Sequence, residues 1–339
     1  MEHELMKRST ILILAISLVC ILEGFLLLKG NLTGASDRNY TKAYQQNNKI
    51  YSLVLPDKLD FAGEKVPLDL YYVREGLDRE LSVNAYWQSN TLILLKKANR
   101  YFPVIEPILK KYKVPDDFKY LALIESGLSN VVSPAGASGF WQFLGETGKR
   151  YGLEVTEEVD ERYNLEKATE AACKLLLHSY GLFENWTLSA SAYNAGESGI
   201  QRAMANQKCN DYYDLYLNTE TSRYLYRILA LKLLYEHPTD FGFFLRNKDL
   251  YPSIPTYTAT IDTTVSDLVA LSRKFEVNYK VFKEFNPWLR KDRLTVKAGK
   301  KYKLTLPKKG FDNYELLMQG IPNPESIFND TLTAGSLYH

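Results

Sequence analysis

Three cysteines and four histidines are few for 339 residues, and each scarcity closes off a class of chemistry. Cys20 lies in an apolar N-terminal stretch, which leaves Cys173 and Cys209 for a folded body. A disulfide framework is therefore excluded, and a single Cys173–Cys209 bridge stays open. Cys173 sits in the helical string Ala171-Ala172-Cys173-Lys174-Leu175-Leu176-Leu177 and reads as a small buried hydrophobe. The histidines are scattered and no His/Cys cluster has metal-ligand spacing, so neither metal nor cofactor is expected. Excess charge is missing as well. The 42 Lys and Arg stand against 40 Asp and Glu, and the net +2 gives no reason to expect a nucleic-acid partner.

What the chain does contain is ordinary globular composition, 45% hydrophobic and 24% charged, with length for one sizeable domain and a small second one. Tyrosine is abundant at 25 residues, which suits ring stacking and core positions alike. Ser9 to Leu28 is an almost unbroken apolar run behind Lys7-Arg8, long enough to cross a bilayer. The only cleavage-like site is Gly34-Ala35-Ser36, so residues 1–36 read as an uncleaved signal anchor rather than a removed leader, although Glu23 inside the run counts against a simple span. Ser17-Leu18-Val19-Cys20 lacks the residues of a lipidation site. The polar stretch within 37–58 reads as a tether.

The chemistry concentrates around Glu125. Phe118, Leu121, Ala122 and Glu125 fall at i, i+3, i+4 and i+7, one helical face that is apolar except for the carboxylate. Val114-Pro115-Asp116-Asp117 supplies the helix start, and Ser126-Gly127 can end it. Desolvation on such a face raises a carboxyl pKa, as a general acid near neutral pH requires. Ser133-Pro134-Ala135-Gly136-Ala137-Ser138-Gly139-Phe140-Trp141-Gln142-Phe143 then offers glycines for close ligand approach, a flat Trp141 ring and the Gln142 amide. Ala192-Tyr193-Asn194-Ala195-Gly196 repeats a phenol and an amide at a helix end.

Six blocks in register carry a resemblance: Ala122 to Ser126, Ser133 to Phe143, Thr147 to Leu153, Asp160-Glu161-Arg162, Ala192 to Gly196 and Glu220-Thr221-Ser222-Arg223-Tyr224. Along Asp69 to Phe243 the chain resembles the lytic transglycosylases of the soluble-lytic-transglycosylase/goose-lysozyme fold, most closely the membrane-bound lytic murein transglycosylase D group. The resemblance implies a mainly α, lysozyme-like catalytic domain over 59–250, with an N-terminal helical extension. It implies Glu125 as the single acid/base cleaving between N-acetylmuramic acid and N-acetylglucosamine to leave a 1,6-anhydro ring. It also implies a substrate cleft lined by Ser133, Gly139, Trp141, Gln142, Tyr193, Asn194, Glu220 and Tyr224, with the Tyr193 hydroxyl near the catalytic carboxylate. Asp160-Glu161-Arg162 and Arg150 read as surface or loop-locking charges without a catalytic role.

Helices are expected in two pieces over Asp69 to Asn99, from Tyr101 to Tyr112 with Pro103 and Pro107 bounding or kinking it, and over Glu166–Ser179, Leu188–Tyr193 and Ser222–Glu236, with no alternating strand before Thr256. After the Pro-rich 249–255 linker, alternation at Thr256–Ile261, two short helices, Asn286-Pro287-Trp288 and a closing Lys301–Pro307 strand give a small α+β unit of β-α-α-β order over 256–308. That unit resembles a lysin-motif module, a glycan-binding family, with Asp262-Thr263-Thr264-Val265 where the family has Gly-Asp-Thr-Leu. Residues 309–339 show no motif. The expected partners are peptidoglycan glycan strands and, through the N-terminal segment, a bacterial membrane. The expected location is the cell envelope with a periplasmic catalytic domain. Goose-type hydrolysis and a non-catalytic wall-binding role remain as competing readings.

Overall fold

Apolar side chains recurring at helical intervals between Val73 and Leu234 leave this chain one economical core, a set of helices packed stripe to stripe, and the computed structural model shows it for the described residues, 50–330. The expected anchor with its Cys20, the tether as far as residue 49 and residues 331–339 lie outside them. Among the described residues no helix is long and apolar enough to cross a membrane. Leu55 is buried in the core of the helical body and Leu53 packs against it.

A short hairpin, β1 (Asp60–Phe61) with β2 (Glu64–Lys65), comes first, its two-residue strands too short to show alternation in the sequence. Phe61 is fully buried and edge-on to Phe118, so the hairpin pins the base of the Glu125 helix. Helices α1 (Tyr71–Tyr86) and α2 (Gln88–Tyr112) follow. Pro103 and Pro107 were expected to bound or kink a helix, yet α2 runs through both. They stand four residues apart on the solvent face, where the carbonyls they leave unpaired can reach water.

Next come α3 (Lys119–Ser126), α4 (Gly145–Arg150), α5 (Leu165–Phe183), α6 (Trp186–Ala195), α7 (Glu197–Gln207) and α8 (Thr219–Glu236). Asparagine starts three of them: Asn164, Asn185 and Asn218 each accept a backbone N–H of the first turn, at 3.1, 2.7 and 3.0 Å. Apolar α8 is the central column, packed by α1, α3 and α6. Cys173 is buried and Cys209 half-buried, and both are free thiols, so no bridge joins them.

The C-terminal unit has the expected β-α-α-β order. Strand β3 (Thr256–Ile261) pairs antiparallel with β4 (Tyr302–Pro307) in the register Thr258↔Thr305 and Thr260↔Lys303, and α9 (Leu268–Lys274) and α10 (Tyr279–Phe285) lie between them in sequence. Phe282, Leu289, Leu294, Leu304 and Leu306 make its core. Buried Asn286 ties α10 to the ribbon by donating to the Thr305 carbonyl at 2.7 Å and accepting the Thr305 N–H at 2.9 Å. The linker is pinned rather than loose: Asn99 and Arg100 of α2 donate to the Tyr251 and Pro252 carbonyls at 3.0 and 3.1 Å. The motif-less C-terminal stretch forms α11 (Tyr314–Gln319) and then returns to the helical body, with buried Phe328 donating its N–H to the Leu245 carbonyl at 2.7 Å.

Candidate active site

Glu125 stands near the end of α3, and Phe118 just before the helix with Leu121 and Ala122 within it make a fully buried inward face, as the spacing requires. Gly127 ends the helix in a left-handed conformation, φ 57°. The carboxyl is only partly exposed, and desolvation is the main reason its pKa is pushed up to about 7. A hydrogen bond donated by the Tyr224 hydroxyl pulls it back down, the Glu220 charge raises it further, and Arg227 lowers it. The result is a carboxylic acid that is half protonated near neutrality, with a phenol holding one oxygen.

The loop after α3 is fastened beside this acid at three points. Ser126 Oγ donates to the Phe140 carbonyl at 2.9 Å, the Tyr193 hydroxyl to the Trp141 carbonyl at 2.6 Å, and the Trp141 indole to Thr169 Oγ1 at 2.8 Å. Trp141 is thus 0% exposed. It forms the floor under the loop and has no free face for a sugar ring, which corrects the expectation of stacking. Gly139 is corrected likewise: at φ +81° a Cβ would sit 1.9 Å from the Arg162 carbonyl, so the close approach is by the protein's own backbone.

The two tyrosines divide their work differently from the expectation. Tyr224, expected in the cleft, is buried at 3% and holds Glu125 directly. Tyr193 lies close enough for the Glu125 charge, after burial, to help raise its phenol pKa, while its hydroxyl serves the loop. Ser133 closes the turn by accepting the Ala137 N–H at 3.1 Å. Gln142, itself at a left-handed φ of 49°, spends its amide nitrogen on the Gly139 and Val131 carbonyls at 2.7 and 3.1 Å. Asn194 accepts from Thr221 Oγ1 at 2.9 Å and donates to the exposed Glu220 at 3.3 Å, so these two residues form one polar corner at the start of α8.

One contributor was invisible in sequence. Glu80 on α1, 2% exposed, accepts from Arg223 at 2.6 Å and lies 3.8 Å from Arg227. It sets the rotation of α8, on which Tyr224 and Glu220 ride. A carboxylate far along the chain from every motif gives no signal until α1 and α8 are brought together. Arg162 was read as a surface or loop-locking charge. It is nearly buried, paired with Asp160 at 2.7 Å, and donates to the Gly136 and Phe143 carbonyls at 3.0 and 3.1 Å. Among the described residues there is no group of His, Cys, Asp and Glu able to hold a metal ion.

Comparison with known proteins places two families on this geometry. The family described as the transglycosylase SLT domain matches residues 102–215, and the soluble lytic transglycosylase C-terminal LysM-like domain matches residues 257–310. Membrane-bound lytic murein transglycosylase D of Escherichia coli strain K12 is 30% identical over 183 residues, and its counterpart from strain CFT073 matches equally. The match takes in 52% of this chain and 40% of each relative, so the chain spans well under half their length. The crystal structure of the 70 kDa soluble lytic transglycosylase of Escherichia coli aligns with 47% of this chain and 30% of its own, at 19% identity and a TM-score of 0.37. Residues 102–215, which include Glu125, the Ser133–Phe143 loop and the Tyr193–Asn194 pair, form a transglycosylase SLT domain, and residues 257–310 form a LysM-like domain of the soluble lytic transglycosylase type.

Proposed function

We propose that this chain is a peptidoglycan lytic transglycosylase that cleaves the β-1,4 bond between N-acetylmuramic acid and N-acetylglucosamine, with Glu125 as its single acid/base. One observation carries the reading: a carboxyl on a buried helical face, pushed up to about 7 and held by Tyr224, inside a transglycosylase SLT domain. A group poised at that pKa can give a proton and take one back at neutral pH.

In the first step, protonated Glu125 donates to the glycosidic oxygen as the bond from the anomeric carbon breaks. The muramoyl acetamido oxygen bonds to that carbon and bears the developing positive charge, a recognised alternative to a second carboxylate. In the second step, ionised Glu125 removes the proton of the muramoyl 6-hydroxyl while that oxygen displaces the acetamido oxygen. A 1,6-anhydro ring forms and the acid is regenerated. Glu220 raises the Glu125 pKa through its charge, and its carboxylate is held by Asn194 at the start of α8, where it can accept from a sugar hydroxyl. Gln142, Ser133 and Asn194 border the same cleft and Gly139 shapes its wall. The domains run over 59–250 and 256–308, residues 1–36 anchor the protein in a bacterial membrane, and the catalytic domain works in the periplasm.

The test is mass spectrometry of peptidoglycan digested by the wild type and by Glu125→Gln. Anhydro ends that vanish in the variant are expected. Reducing ends would replace this reading with hydrolysis, and no products from the wild type would leave a binding protein.

A further inference from the structure

The segment between α4 and α5 has two faces, and each is committed to a different part of the molecule. It folds back on itself, with the Glu161 N–H on the Glu154 carbonyl at 2.8 Å and a bridge between Val155 and Asp160. Its outer edge is built into the C-terminal module. Asp160 donates its N–H to the Trp288 carbonyl and Arg290 donates its N–H to the Glu158 carbonyl, both at 2.8 Å, so that Val159 bridges Leu289 like a short strand. Val159 and Tyr163 are buried within the module's core, and the Arg290 guanidinium lies over the Tyr163 ring at 4.1 Å. Glu158 accepts from Arg293 at 2.8 Å and from the Thr295 N–H at 2.9 Å.

The inner edge of the same segment is Arg162. Its guanidinium, oriented by Asp160, holds the carbonyls of Gly136 and Phe143, on either side of Gly139 in the loop beside Glu125, and its own carbonyl fills the space a side chain on Gly139 would need. The module and the catalytic loop are therefore only two intervening residues apart along the chain, with Val159 in one and Arg162 against the other. We propose that Arg162 is a positioning residue for the Glu125 site, and that through it the LysM-like module is a structural part of that site rather than an appended binder. The inference rests on the reading of Glu125 given above.

Full-length Glu158→Lys, which sets a lysine against Arg293 on the module side, and full-length Arg162→Lys, which keeps the charge but loses the planar fork, test it together. Hydrogen exchange needs no turnover: the amides of Ser138, Gly139 and Gln142 are expected to exchange about 10-fold faster in both variants. In turnover, Arg162→Lys is expected to lower kcat about 10- to 100-fold and to move the alkaline limb of the pH profile below pH 7, as water reaches the carboxyl. The double variant is expected to lose less than the two single effects combined. Loop amides that exchange at the wild-type rate in Glu158→Lys overturn the coupling. A lowered melting temperature with kcat and the alkaline limb unchanged overturns the positioning role. Absence of wild-type turnover defeats the reading of Glu125 but leaves the exchange result standing.

A second inference comes from charge alone. Residues 256–310 hold 13 Lys and Arg against 5 Asp and Glu, a net +8 in a chain whose total is +2, so the remainder is acidic. Lys280, Lys291, Arg293 and Lys300 have carboxylate partners. Lys297, Lys301, Lys303, Lys308 and Lys309 are exposed and form no ion pair among the described residues. The outward face of the β3–β4 ribbon carries Thr258, Thr260, Lys303 and Thr305, hydroxyl and ammonium groups with no large apolar side chain to enter a bilayer. We infer that this face binds the carboxylates of the peptide stems on the wall polymer, bringing an otherwise acidic enzyme to an acidic substrate.

Binding of the Glu125→Gln chain to intact wall sacculi is expected to fall at least 10-fold between 50 and 300 mM salt and equally when the stem carboxylates are amidated. Adding Lys301→Gln, Lys303→Gln and Lys308→Gln is expected to remove most of that salt dependence. Undiminished binding to amidated sacculi overturns the inference. So does stronger capture by phosphatidylglycerol vesicles, which would assign the face to a membrane.

Discussion

Replacing Glu125 with glutamine is expected to stabilise the protein while disabling it, and the structure gives sign and size. Desolvation raises the Glu125 carboxyl from 4.5 to about 7. Because the folded state holds the proton more tightly than the unfolded one, the stability associated with this group is fully present below pH 4.5 and is lost as pH rises through 7. At about 1.4 kcal/mol per unit, ionisation costs the fold about 3 kcal/mol by pH 8, an upper figure for a carboxyl that keeps some exposure. Glutamine keeps the shape and can still accept from the Tyr224 hydroxyl, but never ionises. Urea unfolding of both proteins at pH 5 and pH 8, followed by tryptophan fluorescence, is the assay. The variant is expected to be more stable by about 1–3 kcal/mol at pH 8 and close to wild type at pH 5. Equal stability at pH 8, or a gain that does not change with pH, would refute the claim that burial sets this pKa.

Other outcomes follow from the same geometry. The kcat/KM of the wild type is expected to fall above pH 7 with an apparent pKa near that of Glu125, about 7, measured by release of soluble muropeptides. Tyr224→Phe removes a bond that lowers this pKa, so the alkaline limb is expected to move upward while kcat drops about 10- to 100-fold. Gly139→Ala sets a Cβ against the Arg162 carbonyl at a positive φ, and a loss of more than about 2 kcal/mol in denaturation is expected. Trp141→Phe gives up the bond to Thr169 and leaves a void in the core. A destabilisation of about 2–3 kcal/mol is expected, with KM for glycan fragments unchanged, whereas a stacking platform would show the reverse.

Glu125, the apolar helix face beneath it and the β-α-α-β order of the C-terminal unit could be read directly from the sequence, because helix and strand periodicities are local properties of the chain. Local reasoning also failed in identifiable places. Prolines 103 and 107 do not end α2, since packing of Phe102, Ile105 and Leu109 outweighs two lost backbone bonds on the wet side. Trp141 and Gly139 have the residue types of a ligand cleft, yet one is core and the other makes room for backbone, and composition alone does not distinguish these uses.

Sequence by itself determined that a carboxylate, Glu125, stands on an apolar helix face and which segments can become helices, because these depend on neighbours a few positions away. Tertiary structure alone decided that Tyr224, 99 residues along the chain, holds that acid, and that Glu80 braces α8 across a separation of 143 residues. It also decided that Arg162 holds the Gly136 and Phe143 carbonyls while neighbouring Asp160 bonds Trp288 of the LysM-like module. These pairings exist only once burial has brought distant segments to within hydrogen-bonding distance, and no periodicity records them.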